Sequence, residues 1–401
     1  MQILPLVIHK EQTARQLLCS LGVSLGGVKI LSPKAVFSAF KIEGISSPAA
    51  NIVKQHLLSL GSDAALSREV LIKNVKTSII IFGSIKQLRA LCDKLKNQPF
   101  GLKEVSKELS MGLNNIYSEP KLKIRGKVLS LKKPVICAIV NLTPDSFSGD
   151  GLLRGSPKKN KDAALRQAYQ MVKAGAKIID IGGESSRPFS KSISSSLEKK
   201  RVIPILKALR KEFKKVFISI DTYKYEVAKA AAGAGADIIN DITSLRQSPK
   251  IASLIKQYRL GIVLMHMQGK PNTMQANPKY NDVVSEVSSF FQERLKFCYS
   301  KSIEKESIIV DPGIGFGKRL EDNLKLINRL DSFRILGRPI FVGLSRKSFI
   351  GKALSLEVCE RLIPTVAANT VAVIRGANIL RVHDVSQARQ ALDITSQIMG
   401  N

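Results

Sequence analysis

The residues best suited to chemistry sit where apolar runs stop. Ile308, Ile309 and Val310 read as a buried strand, and the chain turns polar abruptly at Asp311 in DPGIGFGK. Pro312 ends the ladder, while Gly313, Gly315 and Gly317 let the backbone turn tightly and approach a ligand. Lys318 closes the loop with a positive charge. A carboxylate at a strand end followed by a glycine loop suits a small-molecule site on a parallel sheet. A plain helix cap by Asp311 is the competing reading. The pattern recurs, however: Asn141, Glu184, Asp221, Asn240 with Asp241, His266, Ser345 and His383 each follow an apolar, β-rich run.

Two kinds of group stand in this set. Asp221, Asn240 and Asp311 are acceptors or mixed donor–acceptors that suit a flat heterocycle with several N–H donors, such as a pterin or a purine. Arg187, Lys347, Arg381 and His383, with Asn141 nearby, suit a phosphate or diphosphate, and the Asn141 oxygen could hold Mg²⁺. Ser185 and Ser186 have no evident histidine partner for nucleophilic catalysis. Zinc-ligand spacing and the phosphate-binding pattern GxxxxGK[ST] are both missing. The inventory favours a heterocycle beside a departing diphosphate.

These groups need a frame that brings strand ends together. From Pro134 onward, apolar runs alternate with helical stretches eight times. The strands read as 135–141, 178–181, 216–221, 238–242, 262–266, 308–311, 340–344 and 379–383. The helices read as 163–174, 197–213, 224–234, 249–258, 283–299, 321–333, 361–375 and 386–399. Strict alternation implies parallel strands with right-handed crossovers. Eight units match a (β/α)₈ TIM barrel, typically about 250 residues, with an open doubly wound sheet as the alternative. In a barrel the polar strand ends would all face one mouth.

Residues 1–128 read as a separate, smaller α+β domain of unassigned role, followed by the barrel over 129–401. Residues 28–40 alternate loosely between strand and turn character, 49–60 carry helical periodicity, and 75–82 read as a strand. Ser84 is placed to cap a helix in which Leu88, Leu91 and Leu95 share a face and which Pro99 ends. Residues 121–133 (KLKIRGKVLSLKK) read as a basic connection with a short strand that closes one end of the barrel. His9 and His56 are lone histidines and suggest no site.

The 401 residues are 44% hydrophobic and 24% charged, enough for a real core. Lys and Arg outnumber Asp and Glu 63 to 32, a formal charge of +31. Such a field attracts nucleic acid, anionic membrane or phosphorylated small molecules. The basic clusters (Lys158, Lys159 and Lys161; Lys199, Lys200 and Arg201; Lys211, Lys214 and Lys215) are scattered along solvated helix faces, so no nucleic-acid partner is expected. Five dispersed cysteines without CxxC spacing suggest reduced thiols. The apolar start is too short for a signal peptide, and no run approaches the ~20 residues of a membrane helix. A cytoplasmic chain without membrane contact is expected.

Eight segments, in order, carry a specific resemblance: NLTPDSFSGDG (141–151), IDIGGESSRP (179–188), SIDTYK (219–224), NDI (240–242), LMHMQG (264–269), DPGIGFGK (311–318), GLSRKSFIG (343–351) and RVHDV (381–385). Together they resemble the signature set of the dihydropteroate synthase family. The resemblance implies condensation of a dihydropterin diphosphate with p-aminobenzoate in folate synthesis, Mg²⁺ dependence, a homodimer and a sulfonamide target. It assigns the pterin to Asp221, Asn240, Asp311 and Lys347, and counts Phe316 among the substrate-binding residues. Diphosphate and Mg²⁺ fall to Asn141, Arg187, Arg381 and His383. The p-aminobenzoate pocket falls to Phe147, Ser186, Pro188 and Ser345. Asp221, Lys347, Arg381 and His383 would carry the catalysis.

Departures from the family pattern are local. Ser186 stands where the family usually has Thr, keeping the hydroxyl and losing a methyl. After Pro188 the chain reads FSKSISSSLEKK in place of a small, Gly-containing turn. SPAANIVKQHLLSLGSDAALSRE in the first domain resembles an extension of some longer bacterial forms. Two rival readings remain. A methyltetrahydrofolate:corrinoid methyltransferase on the same kind of barrel would typically read GLSN where this chain has GLSRK. A basic binding module with an idle barrel has only the charge in its favour.

Overall fold

The computed structural model describes residues 1–71, 73, 75–143, 157–185, 192–270 and 273–399. The chain divides into two compact units, Met1–Ser118 and Glu119–Asn401.

The second unit is a barrel of eight parallel strands. They are β1 (Val135–Asn141), β2 (Ile178–Gly182), β3 (Phe217–Asp221), β4 (Ile238–Asp241), β5 (Gly261–Met265), β6 (Ile308–Asp311), β7 (Phe341–Val342) and β8 (Ile379–Val382). Neighbours pair in register from β6 back to β1, then through β8 to β7. One parallel bridge, Val310 to Ile340, joins β6 to the start of β7 and closes the ring. The strands are buried on both faces, which is why they read as unbroken apolar runs. Outward residues such as Val140, Ile181, Ile220, Leu264 and Leu380 pack in one core with the helices.

The inward face changes character along its length. Its lower layer (Cys137, Ile178, Phe217, Ile238, Val263, Ile309, Phe341 and Ile379) forms one apolar cluster. Strand side chains repeat every two residues. One step up from that layer the inward positions are therefore Asp180, Ser219, Asn240, Asp311 and Arg381, and Asp221 follows Ser219. The polar mouth is the direct continuation of the apolar plug.

A hairpin closes the opposite end, as the basic connection suggested. Leu122–Ile124 pairs with Lys127–Leu129. Leu122 and Ile124 are fully buried in the lower-layer cluster. Arg125, at the tip, donates to the carbonyls of Ala232 at 2.7 Å and Ala236 at 2.9 Å. The hairpin belongs to the barrel unit, so the expected boundary at residue 128 falls inside it.

The first unit has a three-stranded antiparallel sheet with Lys76–Ser84 between Phe37–Ser46 and Asp63–Ala65. Helices Ser47–Ser59, Ile85–Leu95 and Leu102–Tyr117 bury Val53, Leu57, Leu88, Leu91, Leu95, Leu109 and Leu113 with Ile79 and Ile81. Ser84 does cap: its Oγ accepts from Gln87 N at 3.3 Å, and Gln87 Oε1 accepts from Ser84 N at 2.8 Å.

Three sequence expectations need correction. Residues 28–40 are not irregular. A helix, Leu25–Ala35, starts at Ser24, whose Oγ accepts from Gly27 N, and a long strand follows it. Gly26, Gly27 and Pro33 disguised it, but Pro33 lies in the last turn. The stretch 321–333 is not one helix; it breaks at Arg329 between Leu320–Asn328 and a 3₁₀ segment, Leu330–Leu336. The seventh strand is shorter than 340–344, and a further helix, Ser348–Leu354, follows it.

Candidate active site

Arg381 organises the mouth. From β8 its Nε donates to Asp180 Oδ2 at 2.6 Å and its Nη2 to Asp221 Oδ2 at 3.0 Å. Asn240 Nδ2 also donates to Asp180 Oδ2, at 3.2 Å. Asp180 is fully buried, and its Oδ1 has no hydrogen-bond partner among the described residues. Burial pulls the Arg381 guanidinium down, but the Asp180 and Asp221 carboxylates outweigh it and hold the cation above its ordinary value. Burial pushes the Asp221 carboxyl above the usual carboxylate range, against the opposing pull of Arg381.

Lys347 faces this group from the loop after β7. Its Nζ donates to the Ile314 carbonyl and lies 4.6 Å from the centroid of the Phe316 ring. Burial lowers its amine to about 8, with Asp311 opposing the shift and Arg381 adding to it. Asp311 is buried, and its Oδ1 accepts from Gly313 N at 2.7 Å. Burial raises this carboxyl too, against Lys347. Phe316 belongs to an apolar wall with Ile242, Met265, Met267 and Met274, soft side chains suited to the face of a flat ring.

The glycine loop needs its glycines. Gly313 and Gly317 have φ of +67° and +60°. A Cβ on Gly313 would lie 1.9 Å from the His266 carbonyl oxygen, and one on Gly317 would lie 2.5 Å from that of Gln268.

At the β8 end, Ser345 Oγ pairs with His383 Nδ1 at 3.0 Å and accepts from His383 N at 3.3 Å. Asn141 ends β1, which pairs with β8 on one side and β2 on the other, and is partly buried. Between Ser345 and Lys347, Arg346 takes the left-handed conformation at φ +54°. Its guanidinium forks onto Asp384, with Nε to Oδ2 at 3.0 Å and Nη2 to Oδ1 at 2.5 Å. That fork ties the β7 loop to the β8 loop.

Comparisons with known proteins agree with this geometry. A family model for pterin binding enzymes matches residues 137–383. Escherichia coli K12 dihydropteroate synthase is 43% identical over 274 residues, covering 68% of this chain and 95% of that protein. The Haemophilus influenzae enzyme is 43% identical over 274 residues, covering 68% and 97%. The Yersinia pestis dihydropteroate synthase structure, a sulfonamide drug complex, aligns with a TM-score of 0.65 at 40% identity, over 70% of this chain and 99% of that one. The Xanthomonas albilineans enzyme with 4-aminobenzoic acid aligns with a TM-score of 0.65 at 38% identity, over 71% and 100%. The chain belongs to the dihydropteroate synthase family.

As a family member it carries the synthase reading rather than the methyltransferase one. Asp221, Asn240, Asp311, Phe316, Lys347 and Arg381 gather at one mouth, with Asn141 at the end of β1, Ser345 after β7 and His383 after β8. Phe147, Ser186, Arg187 and Pro188 lie outside the described residues. Three polar strand ends do other work than facing the mouth. Asp241 accepts from Thr243 N, Thr243 Oγ1 and Leu245 N and shapes its own turn. Glu184 takes hydrogen bonds from Tyr223 Oη at 2.8 Å and from Lys224 Nζ. His266 is buried against Lys318. Sequence reasoning missed Asp180, although an acid interrupting the apolar run IIDIG at an inward position was a readable signal. It also missed the methionine wall.

Proposed function

We propose that this chain condenses 7,8-dihydropterin-6-ylmethyl diphosphate with 4-aminobenzoate, giving 7,8-dihydropteroate and diphosphate. The observation that carries the reading is the inward set Asp180, Asp221, Asn240 and Asp311, acceptors set around Arg381 and Lys347 against an apolar wall. The orphan Asp180 Oδ1 is a buried acceptor awaiting an N–H. Asp221, Asn240 and Asp311 would take the donors of the pterin edge, and Lys347 would donate to a ring acceptor above Phe316.

In the reaction the methylene C–O bond breaks, and its electron pair leaves on the diphosphate. The pterin ring delocalises the resulting methylene cation. The arylamine nitrogen then forms the C–N bond and loses a proton. Arg381 and His383 would stabilise the leaving group, and Ser345 would orient His383. The amine needs no strong base, so positioning and charge stabilisation dominate. Phe147, Ser186, Arg187 and Pro188 would complete the p-aminobenzoate and diphosphate pockets, and a sulfonamide would compete there.

Mg²⁺ fits as a cation shared with the substrate. No cluster of three His, Cys, Asp or Glu that could hold a metal occurs among the described residues. Asn141 offers one hard oxygen at the end of β1, where it pairs with Gly182 of β2. Magnesium commonly takes one or two protein ligands plus substrate phosphates. When bound, it would neutralise charge on the departing diphosphate.

A second copy of the chain is the proposed partner. The helices Leu362–Ile374 and Val385–Ile398 pack on each other and expose Ile363, Val371, Ile374, Ile394 and Ile398. No nucleic-acid partner is proposed, because the excess charge spreads over outer helices. No helix among the described residues is long and apolar enough to cross a membrane. The five free cysteines suit a reducing cytoplasm.

Offering the full chain the dihydropterin diphosphate with either 4-aminobenzoate or, in parallel, methyltetrahydrofolate with a corrinoid acceptor tests the reading. Dihydropteroate is expected, and methyl transfer alone would overturn it.

A further inference from the structure

Lys318 is buried, with 3% of its surface exposed, and the condensation does not use it. It closes the glycine loop after β6. Its Nζ meets three acceptors: His266 Nδ1 at 3.0 Å, the Phe316 carbonyl at 3.0 Å and the His266 carbonyl at 3.3 Å. Protonated, its three donors match these three acceptors; burial lowers the amine to about 7, with Asp311 opposing the shift. Burial, together with the nearby cations Lys318 and Arg246, lowers His266 to about 2, which keeps the ring neutral. Opposite the protonated Lys318, His266 Nδ1 accepts and the ring proton sits on Nε2.

The loop above this ammonium is held along its whole length. Ile314 O accepts from Lys347, Gly315 O from Gln275 at 2.7 Å, Phe316 O from Lys318, and Gly317 O from Tyr280 at 2.7 Å. Gly315 N donates to Asn323 at 2.6 Å. Among these tethers Lys318 reaches both ends of the junction: the β5 terminus at His266 and the backbone of Phe316. Phe316 in turn supports the Lys347 amine.

We infer that Lys318 is a positioning residue for pterin recognition: it fastens the glycine loop to the end of β5 and so sets the Phe316 ring and the Ile314 carbonyl that seat Lys347. The inference rests on the proposed condensation for its substrate but not for its test, because pterin binding is measurable without turnover. It requires that loss of the ammonium weakens the pterin half-site and spares the p-aminobenzoate half-site.

The test is Lys318→Met in the full chain, with 6-hydroxymethylpterin as a calorimetric probe and KM measured for each substrate. Displacing a recognition group by a fraction of an ångström supports an expected rise of about tenfold in the pterin Kd and in KM for the dihydropterin diphosphate. KM for 4-aminobenzoate should stay within about twofold. A lower melting temperature with both KM values and the pterin Kd unchanged would mean Lys318 only stabilises the fold, and would overturn the inference. Should Lys318→Met fail to fold, His266→Leu removes one acceptor and His266→Asn restores one. Weakened pterin binding in the first and recovery in the second support the role. Wild-type Kd in both overturns it. A wild-type chain that binds pterin but makes no product contradicts the proposed function and leaves this test intact.

Discussion

Arg381 and Asp221 meet at 3.0 Å across the mouth of the barrel, joining β8 to β3, and the same guanidinium holds Asp180 at 2.6 Å. One cation bridges the buried Asp180 and the partly buried Asp221, holding both acceptors near each other and offsetting part of their mutual repulsion. In the proposed reaction the pterin half-site and the leaving-group side would share this residue.

Asp221→Asn turns an acceptor into a mixed group while Asp180 still pairs Arg381. A buried recognition group left mismatched costs about 1–3 kcal/mol or more. Calorimetry should show the pterin bound at least about tenfold more weakly, at little cost in melting temperature. Unchanged affinity would remove Asp221 from the pterin edge.

His383→Ala should lower kcat about 10- to 100-fold with the pterin Kd nearly intact, if the imidazole acts as charge develops on the diphosphate. Ser345→Ala should reproduce part of the loss, because its hydroxyl orients the ring. A raised KM with full kcat would instead make His383 a ground-state contact.

The pH profile of kcat/KM for the dihydropterin diphosphate should be bell-shaped. Asp221 must be ionised to accept, and burial raises its carboxyl, so activity falls with acid at a pH above the ordinary carboxylate range. Lys347 must be protonated to donate, and burial lowers it to about 8, so activity falls again as pH rises through about 8. Lys347→Met should lose the alkaline limb. A profile flat from pH 5 to about 10 would contradict both assignments.

The Lys224 ammonium lies between Glu184 and Glu198, 2.7 Å from Glu198 Oε2, with Glu198 only 1% exposed. Lys224→Met leaves that acid buried and uncompensated, so unfolding by denaturant should show a loss of about 3 kcal/mol. Adding Glu198→Gln should recover part of it. Strict additivity of the two losses would show that the groups do not interact.

Much of this was legible in the sequence because parallel strands covered on both faces must be apolar throughout. β1 and β6 fall where their runs predict. β7 was overdrawn because its ladder is only two residues long although its flanks are equally apolar. Asp221, Asn240 and Asp311 were readable as polar breaks at strand ends, and Lys347 as a cation in the loop after the seventh run. Asp180 showed as an acid inside the run IIDIG but was passed over, since it sits one inward step below its strand end and its partner Arg381 is 201 residues away. His266 and Glu184 look like site residues by position, and only packing shows them bound to Lys318 and Lys224.

The hairpin changes where the barrel begins. A chain starting at Glu119 keeps Leu122 and Ile124 in the plug and should fold. A chain starting at Leu131 loses both, at about 1.5–3 kcal/mol for each buried side chain. Circular dichroism melts of the two should differ by many degrees, and equal melting temperatures would show the plug to be dispensable.

The most direct test of the central claim is a single-turnover product assay with the full chain in excess, Mg²⁺, the dihydropterin diphosphate and labelled 4-aminobenzoate. Labelled dihydropteroate and diphosphate are expected in equal amounts, sharply reduced in Asp221→Asn. Pterin bound by a folded wild-type chain with no labelled product formed would contradict it.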